Sequence, residues 1–129
     1  MQSIPLHFDN SLTLRRQKLS RTINSRTLKE SFGEYIRNLR EQKEIPIRKV
    51  AAALDLDQST LSKFERGERL PPEKIIPELA AYFEVELEEM RLSYFSDKVL
   101  NPILSDQNAE KILETATKKL KYIKSKNHI

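Results

Sequence analysis

Residues 56–67 read Leu-Asp-Gln-Ser-Thr-Leu-Ser-Lys-Phe-Glu-Arg-Gly, and this run decides the fold. Leu61 and Phe64 stand three apart, the spacing that places two side chains on one face of an α-helix. The outward positions, Gln58, Ser59, Ser62 and Lys63, are small or hydrogen-bonding, unlike the Glu and Lys pairs of an ordinary solvated face. Asp57 is the natural N-cap, because its carboxylate can accept from the open amides of the first turn. Gly67 suits a left-handed residue just past the C-terminus. A short helix from Gln58 to Glu65 is the expectation.

Upstream, Ile47, Val50, Ala51 and Leu54 predict a second short helix. It follows Ile45-Pro46, where proline cannot continue one helix but fits the first turn of the next. Earlier still, Ser31 and Glu34 form a capping-box pattern, and Phe32, Tyr35, Ile36 and Leu39 fall at helical spacing. They predict a first helix over Phe32 to Lys43. Downstream, Arg66 to Pro72 is a loop. A fourth helix is expected from Pro72 to Phe83, burying Ile75, Ile76, Leu79, Ala80 and Phe83, with Pro77 either kinking its start or marking its true first turn. A fifth begins near Glu86 and carries Leu87, Met90, Leu92, Tyr94 and Phe95, and a last one covers Ala109 to Lys126. Two glycines in 129 residues and no alternating pattern over 31–126 argue against any β architecture. The fold class is all-α.

Two short helices joined by a three- or four-residue turn, with flanking helices to bury them, outline a helix-turn-helix. That geometry presents one helix end to the major groove of DNA. The stretch Phe32 to Leu92 resembles the Cro/CI-type (XRE) helix-turn-helix domain of phage repressors and bacterial regulators. The resemblance rests on Ile36, Leu39 and Arg40 in helix 1, on Val50-Ala51 and Leu54 in helix 2, and on the whole run Leu56 to Gly67. It continues through Pro71, Leu79-Ala80 and Phe83-Glu84-Val85.

The resemblance implies a five-helix, lambda-repressor-like DNA-binding domain, to which this chain adds an N-terminal basic arm and an extra C-terminal helix. It implies that Gln58 and Ser59 reach base edges, and that Ser62 and Lys63, one turn later, reach bases or the nearer phosphates. Gln pairs bidentately with adenine N6/N7 and Lys with guanine O6/N7. Thr60 would touch a phosphate or a thymine methyl. Arg66 and Arg69 in the loop, with Arg48 and Lys49 near the start of helix 2, would meet backbone phosphates, which set register more than sequence preference. Arg40 and Glu65 match a pair that braces helix 1 against the end of helix 3. Two departures stand out. Pro46-Ile47 replaces the usual Thr-Gln, removing a capping hydroxyl and a phosphate-contacting Gln, and Asp55 replaces the usual turn glycine, at a place where Asp tolerates the left-handed conformation.

The formal charge is +4 and the pI near 9.3. Its distribution is uneven: residues 1–30 carry +4, residues 31–72 only +1, residues 73–97 −5 and residues 98–129 +4. The reading domain therefore contributes little of the surplus. The chain divides into an arm or tail (1–30), the DNA-binding domain (31–97) and a C-terminal helical extension (98–129). Arg15, Arg16, Lys18, Arg21, Arg26 and Lys29 form the basic arm, with no acid between Asn10 and Lys29. Such an arm follows phosphates or the minor groove, or solubilises the chain, or pairs with another subunit. In the extension, Ala109, Leu113, Ala116, Leu120 and Ile123 recur at intervals of 4, 3, 4 and 3, a coiled-coil spacing. Either this helix dimerises or it folds back onto helices 1 and 5 of its own subunit.

The sequence has no cysteine, hence no disulfide, thiolate metal site or thiol redox centre, and a reducing compartment is expected. No run approaches the length of a membrane span and the N-terminus lacks an apolar signal region, so the expected location is cytoplasmic. His7 and His128 lie near opposite ends and the carboxylates are spread as surface charges, so no catalytic residues, metal or cofactor are expected. The reading that results is a sequence-specific transcriptional regulator, a repressor, that binds an inverted-repeat operator in double-stranded DNA as a homodimer. Two alternatives share the same domain. One is an antitoxin that also wraps a toxin, the other a controller protein of a restriction-modification system. A neighbouring toxin or DNA methyltransferase gene would separate them.

Overall fold

The computed structural model describes residues 30–127. In chain order it contains α1 (Phe32–Gln42), α2 (Ile47–Ala53), α3 (Gln58–Glu65), a 3-10 turn at Glu73–Ile75, α4 (Ile76–Phe83), α5 (Leu87–Leu100), a second 3-10 turn at Asn101–Ile103, and α6 (Ala109–Asn127). There is no strand among the described residues. The fold is the expected all-α, lambda-repressor-like one. The basic residues of the arm, Arg15 to Lys29, lie outside the described residues. Among the described residues, 30–98 form one compact unit and 99–127 another.

The capping box at α1 is complete: Ser31 Oγ accepts from the Glu34 amide at 3.1 Å and Glu34 Oε1 accepts from the Ser31 amide at 2.9 Å. A third bond is long-range. The Phe32 amide donates to Asp97 Oδ2 at 2.8 Å, fastening the start of α1 to α5 with a carboxylate at the positive end of the helix dipole. Apolar side chains from all five helices of this unit then close one core. Phe32 meets the Tyr94 ring edge-on, with centroids 5.4 Å apart. The Tyr94 hydroxyl donates to the Pro71 carbonyl at 2.7 Å, so the loop leaving α3 is anchored to α5 inside that core.

The structure corrects the sequence reading at several places. The fourth helix is not continuous from Pro72: the 3-10 turn comes first, and Pro77 falls in the opening turn of α4, where its missing N–H is not needed. In α5 the apolar residues do not share one stripe. Met90 and Tyr94 are buried, whereas Leu87 and Leu92 are 41% and 44% exposed, and Glu89 and Ser93 are turned inward. Helix α5 runs to Leu100. Asp57 does occupy the N-cap of α3 but makes no side-chain cap bond. Its side chain is exposed.

Among the described residues, three non-glycines lie in the left-handed region: Glu44 (φ 53°), Asp55 (φ 56°) and Glu84 (φ 56°), with Gly67 at φ 75°. Asp55 and Gly67 are where the turn chemistry places them. The two glutamates are not: Glu44 turns the chain between α1 and α2, and Glu84 caps the C-terminus of α4. Each adopts a conformation that disfavours a side chain by about 1 kcal/mol, held by the packed helices on either side.

Candidate nucleic-acid interface

Helix α2 ends at Leu54, whose amide bonds back to Val50 and Ala51. Asp55 reverses the chain, the Leu56 amide donates to the Ala51 carbonyl at 2.8 Å, and Asp57 opens α3. This is the tight turn that orients α3. Both α1 and α2 pack on α3. Leu61 and Phe64 are its buried apolar contacts, each about 1% exposed.

One further residue on the inward face escaped the pattern of apolar spacing. Glu65 is buried, with 6% of its side chain exposed, and is met by Arg40, itself only 16% exposed. Arg40 Nε donates to Glu65 Oε2 at 2.7 Å and Nη2 to Oε1 at 3.0 Å, a two-pronged guanidinium–carboxylate pair. Its remaining nitrogen, Nη1, donates to the Ile45 carbonyl at 3.1 Å. One side chain thus ties together α1, the α1–α2 turn and the end of α3. The hydrogen bond to Glu65 raises the Arg40 pKa above its ordinary value.

A second close approach falls beside this pair. Gly33 in α1 lies against the last turn of α3: a Cβ at that position would be 2.4 Å from the Phe64 carbonyl oxygen and 2.7 Å from that of Glu65. Only the absence of a side chain lets the two helix backbones come this near. A glycine in a helix that otherwise has good formers was the available signal in the sequence.

The outward face of α3 is open. Gln58, Ser59 and Lys63 are exposed, and Thr60 and Ser62 are half-buried. With Leu61 bonded back to Asp57, the amides of Gln58, Ser59 and Thr60 remain as donors at the exposed N-terminus of the helix. Arg48 and Lys49 in the first turn of α2 are exposed, as are Arg66 and Arg69 in the loop after α3. The two loop arginines differ in their surroundings. Arg69 lies over the Phe64 ring, 5.3 Å from its centroid, which steadies its guanidinium. Arg66 Nε is engaged by Glu68 Oε2, and this hydrogen bond holds the Glu68 carboxyl below the usual carboxylate range.

A helix-turn-helix family model matches residues 36–90, the span that runs from the core of α1 through the turn and α3 to Met90. Residues 36–90 are similar to that helix-turn-helix family. No curated protein and no solved structure gives a match to the chain. The match supports a DNA-binding role in transcription regulation for this segment. No helix among the described residues is long and apolar enough to cross a membrane.

Proposed function

We propose that this chain is a cytoplasmic repressor that binds an inverted-repeat operator as a homodimer, each copy laying α3 in the major groove. The observation that carries the reading is the contrast between the two faces of α3. The inner face is locked by Leu61, Phe64 and the Arg40–Glu65 pair, while the outer face offers Gln58, Ser59, Ser62 and Lys63 with no apolar side chain among them. A rigid helix with short hydrogen-bonding side chains is what base-edge recognition requires. In this reading Gln58, Ser59, Ser62 and Lys63 contact bases. Thr60, Arg66, Arg69, Arg48 and Lys49 hold the backbone, and the two recognition helices lie about 34 Å apart, one turn of DNA.

The test is a mobility-shift titration with the DNA upstream of the chain's own gene and with random DNA of equal length. Gln58→Ala and Lys63→Ala each weaken binding to the specific site about 10- to 100-fold, the loss of one good base contact, and leave binding to random DNA much less affected. If both variants bind the two DNAs as the parent does, α3 is not the reader.

The Arg66–Glu68 pair gives a prediction of opposite sign. Glu68 competes with a phosphate for Arg66, so Glu68→Gln tightens binding about two- to fivefold on specific and random DNA alike and steepens the salt dependence. Arg66→Ala weakens both and lowers the slope of log K against log salt by about one. A Glu68→Gln variant with unchanged affinity and slope would remove Arg66 from the phosphate contacts.

A further inference from the structure

We infer that α6 is where two copies of this chain meet, and that their α6 helices run antiparallel through the stripe Leu113, Ala116, Leu120 and Ile123. The homodimer belongs to the function proposed above. Its location and direction follow from the helix itself.

Helix α6 has nineteen residues, a rod about 28 Å long. None of them is buried. Leu120 is 52% exposed and Ile123 48%. With Ala109, Ile112, Leu113 and Ala116 they occupy one arc of about 100°, the width of a face that packs against something. Lone helices of this length are only marginally stable in water, and most gain their stability by burying such a face.

The charges select the occupant and its direction. The first half of α6 carries Glu110 and Glu114 with Lys111, and the second half carries Lys118, Lys119, Lys121, Lys124 and Lys126. Lys118 reaches back to Glu114 at 3.4 Å, which leaves the C-terminal end strongly positive. Glu110, Glu114, Lys121 and Lys124 share one flank of the apolar stripe. A parallel pair would set one lysine-rich half against the other and Lys124 beside the partner's Lys119. An antiparallel pair sets Glu110 beside the partner's Lys124, and the two-fold axis repeats the contact. It also brings Ala116 against the partner's Leu120, small against large, so the helices approach closely at the centre. The other flank carries Ile112, Lys119 and Lys126 beside a shallow groove whose lining contains no acid. There the lysine stems cover the apolar edge and their ammonium groups stay in water.

The chain has no cysteine, so introduced thiols report on this geometry without interference. The full-length variants Glu110→Cys and Lys124→Cys, mixed and mildly oxidised, are expected to form the mixed disulfide, while each alone forms little. A disulfide forming instead between Lys119→Cys and Lys124→Cys, the two positions a parallel pair brings together, would overturn the inference. In sedimentation equilibrium the parent chain is a dimer and Leu120→Asp with Ile123→Asp is a monomer whose helix-turn-helix unit unfolds at the same temperature as the parent's. Glu110→Lys raises the dimer dissociation constant about fivefold, as two exposed pairs are replaced by repulsions. A monomeric parent chain, or a dimer that survives the two aspartates, refutes the pairing. These readouts use no DNA, so they fail or succeed independently of the α3 variants above.

Discussion

Gly33→Ala is expected to destabilise the helix-turn-helix unit by about 3 kcal/mol and to lower its Tm by roughly 15 °C. Helix propensity alone predicts the reverse, since alanine in a helix interior is favoured over glycine by about 1 kcal/mol. The decisive quantity is the 2.4 Å between a Cβ at this position and the Phe64 carbonyl oxygen, with the Glu65 carbonyl oxygen at 2.7 Å and its carbon at 3.0 Å. All three are backbone atoms and cannot rotate aside as a side chain would. The Phe64 carbonyl is also fixed by the Gly67 amide at 3.1 Å, which closes the end of α3. Relieving the overlap therefore means moving α1 or the whole last turn of α3, and with it Glu65. The measurement is thermal or urea unfolding of Gly33→Ala beside the parent chain. A Tm equal to or above that of the parent would show that α1 and α3 are not in contact here. Ala52→Gly, an exposed position in the middle of α2, should lose only the propensity difference of about 1 kcal/mol and sets the scale.

What was legible in the sequence divides along the range of the interactions. Most local signals appear in the structure, the side-chain cap bond expected of Asp57 excepted. The capping box at Ser31 and Glu34, the turn at Asp55 and the left-handed Gly67 are each decided within four residues, and each appears in the structure. Pro77 was correctly ambiguous, because its ring excludes a mid-helix position without saying where the helix begins. Features that depend on what packs across the molecule were not visible. Glu44 and Glu84 adopt positive φ although nothing local asks a glutamate to do so. The contact at Gly33 joins residues more than thirty apart. Leu92 has an apolar side chain on the outer side of α5, where spacing alone could not tell it from Met90 or Tyr94.

The outward face of α3 was read from residue type and periodicity. The Arg40–Glu65 pair came from family resemblance alone, since twenty-five intervening residues give no spacing rule to connect them. The same limit applies to charge. The formal +4 is a weak guide to DNA binding because the helix-turn-helix segment holds only +1 of it. Placement matters more than the total: Lys63, Arg66 and Arg69 all follow the reading face, whereas Glu65 is turned into the core and its charge is matched there by Arg40.

Arg40→Ala is expected to cost about 3 kcal/mol, because it leaves the Glu65 carboxylate buried with neither of its guanidinium donors. Solvent reaches Arg40 more easily than Glu65, so the figure belongs at the lower end of the range for a broken buried pair. The reverse change, Glu65→Ala, is milder, at about 1.5 kcal/mol, since Arg40 keeps its bond to the Ile45 carbonyl and can turn towards water. The double variant should cost less than the two singles together, by about 2 kcal/mol of coupling. Arg40→Lys recovers little, because a single ammonium cannot satisfy both carboxylate oxygens and the Ile45 carbonyl in the fixed fork of a guanidinium. Replacing both partners with apolar residues, Arg40→Met with Glu65→Leu, should recover most of the stability, as buried pairs often contribute more to specificity of packing than to free energy. The apolar pair also separates stability from function. If the two-pronged pair sets the angle at which α3 leaves the core, this variant folds as well as the parent but binds the specific DNA less tightly. Equal stability with equal specific affinity would show that the pair serves the fold alone.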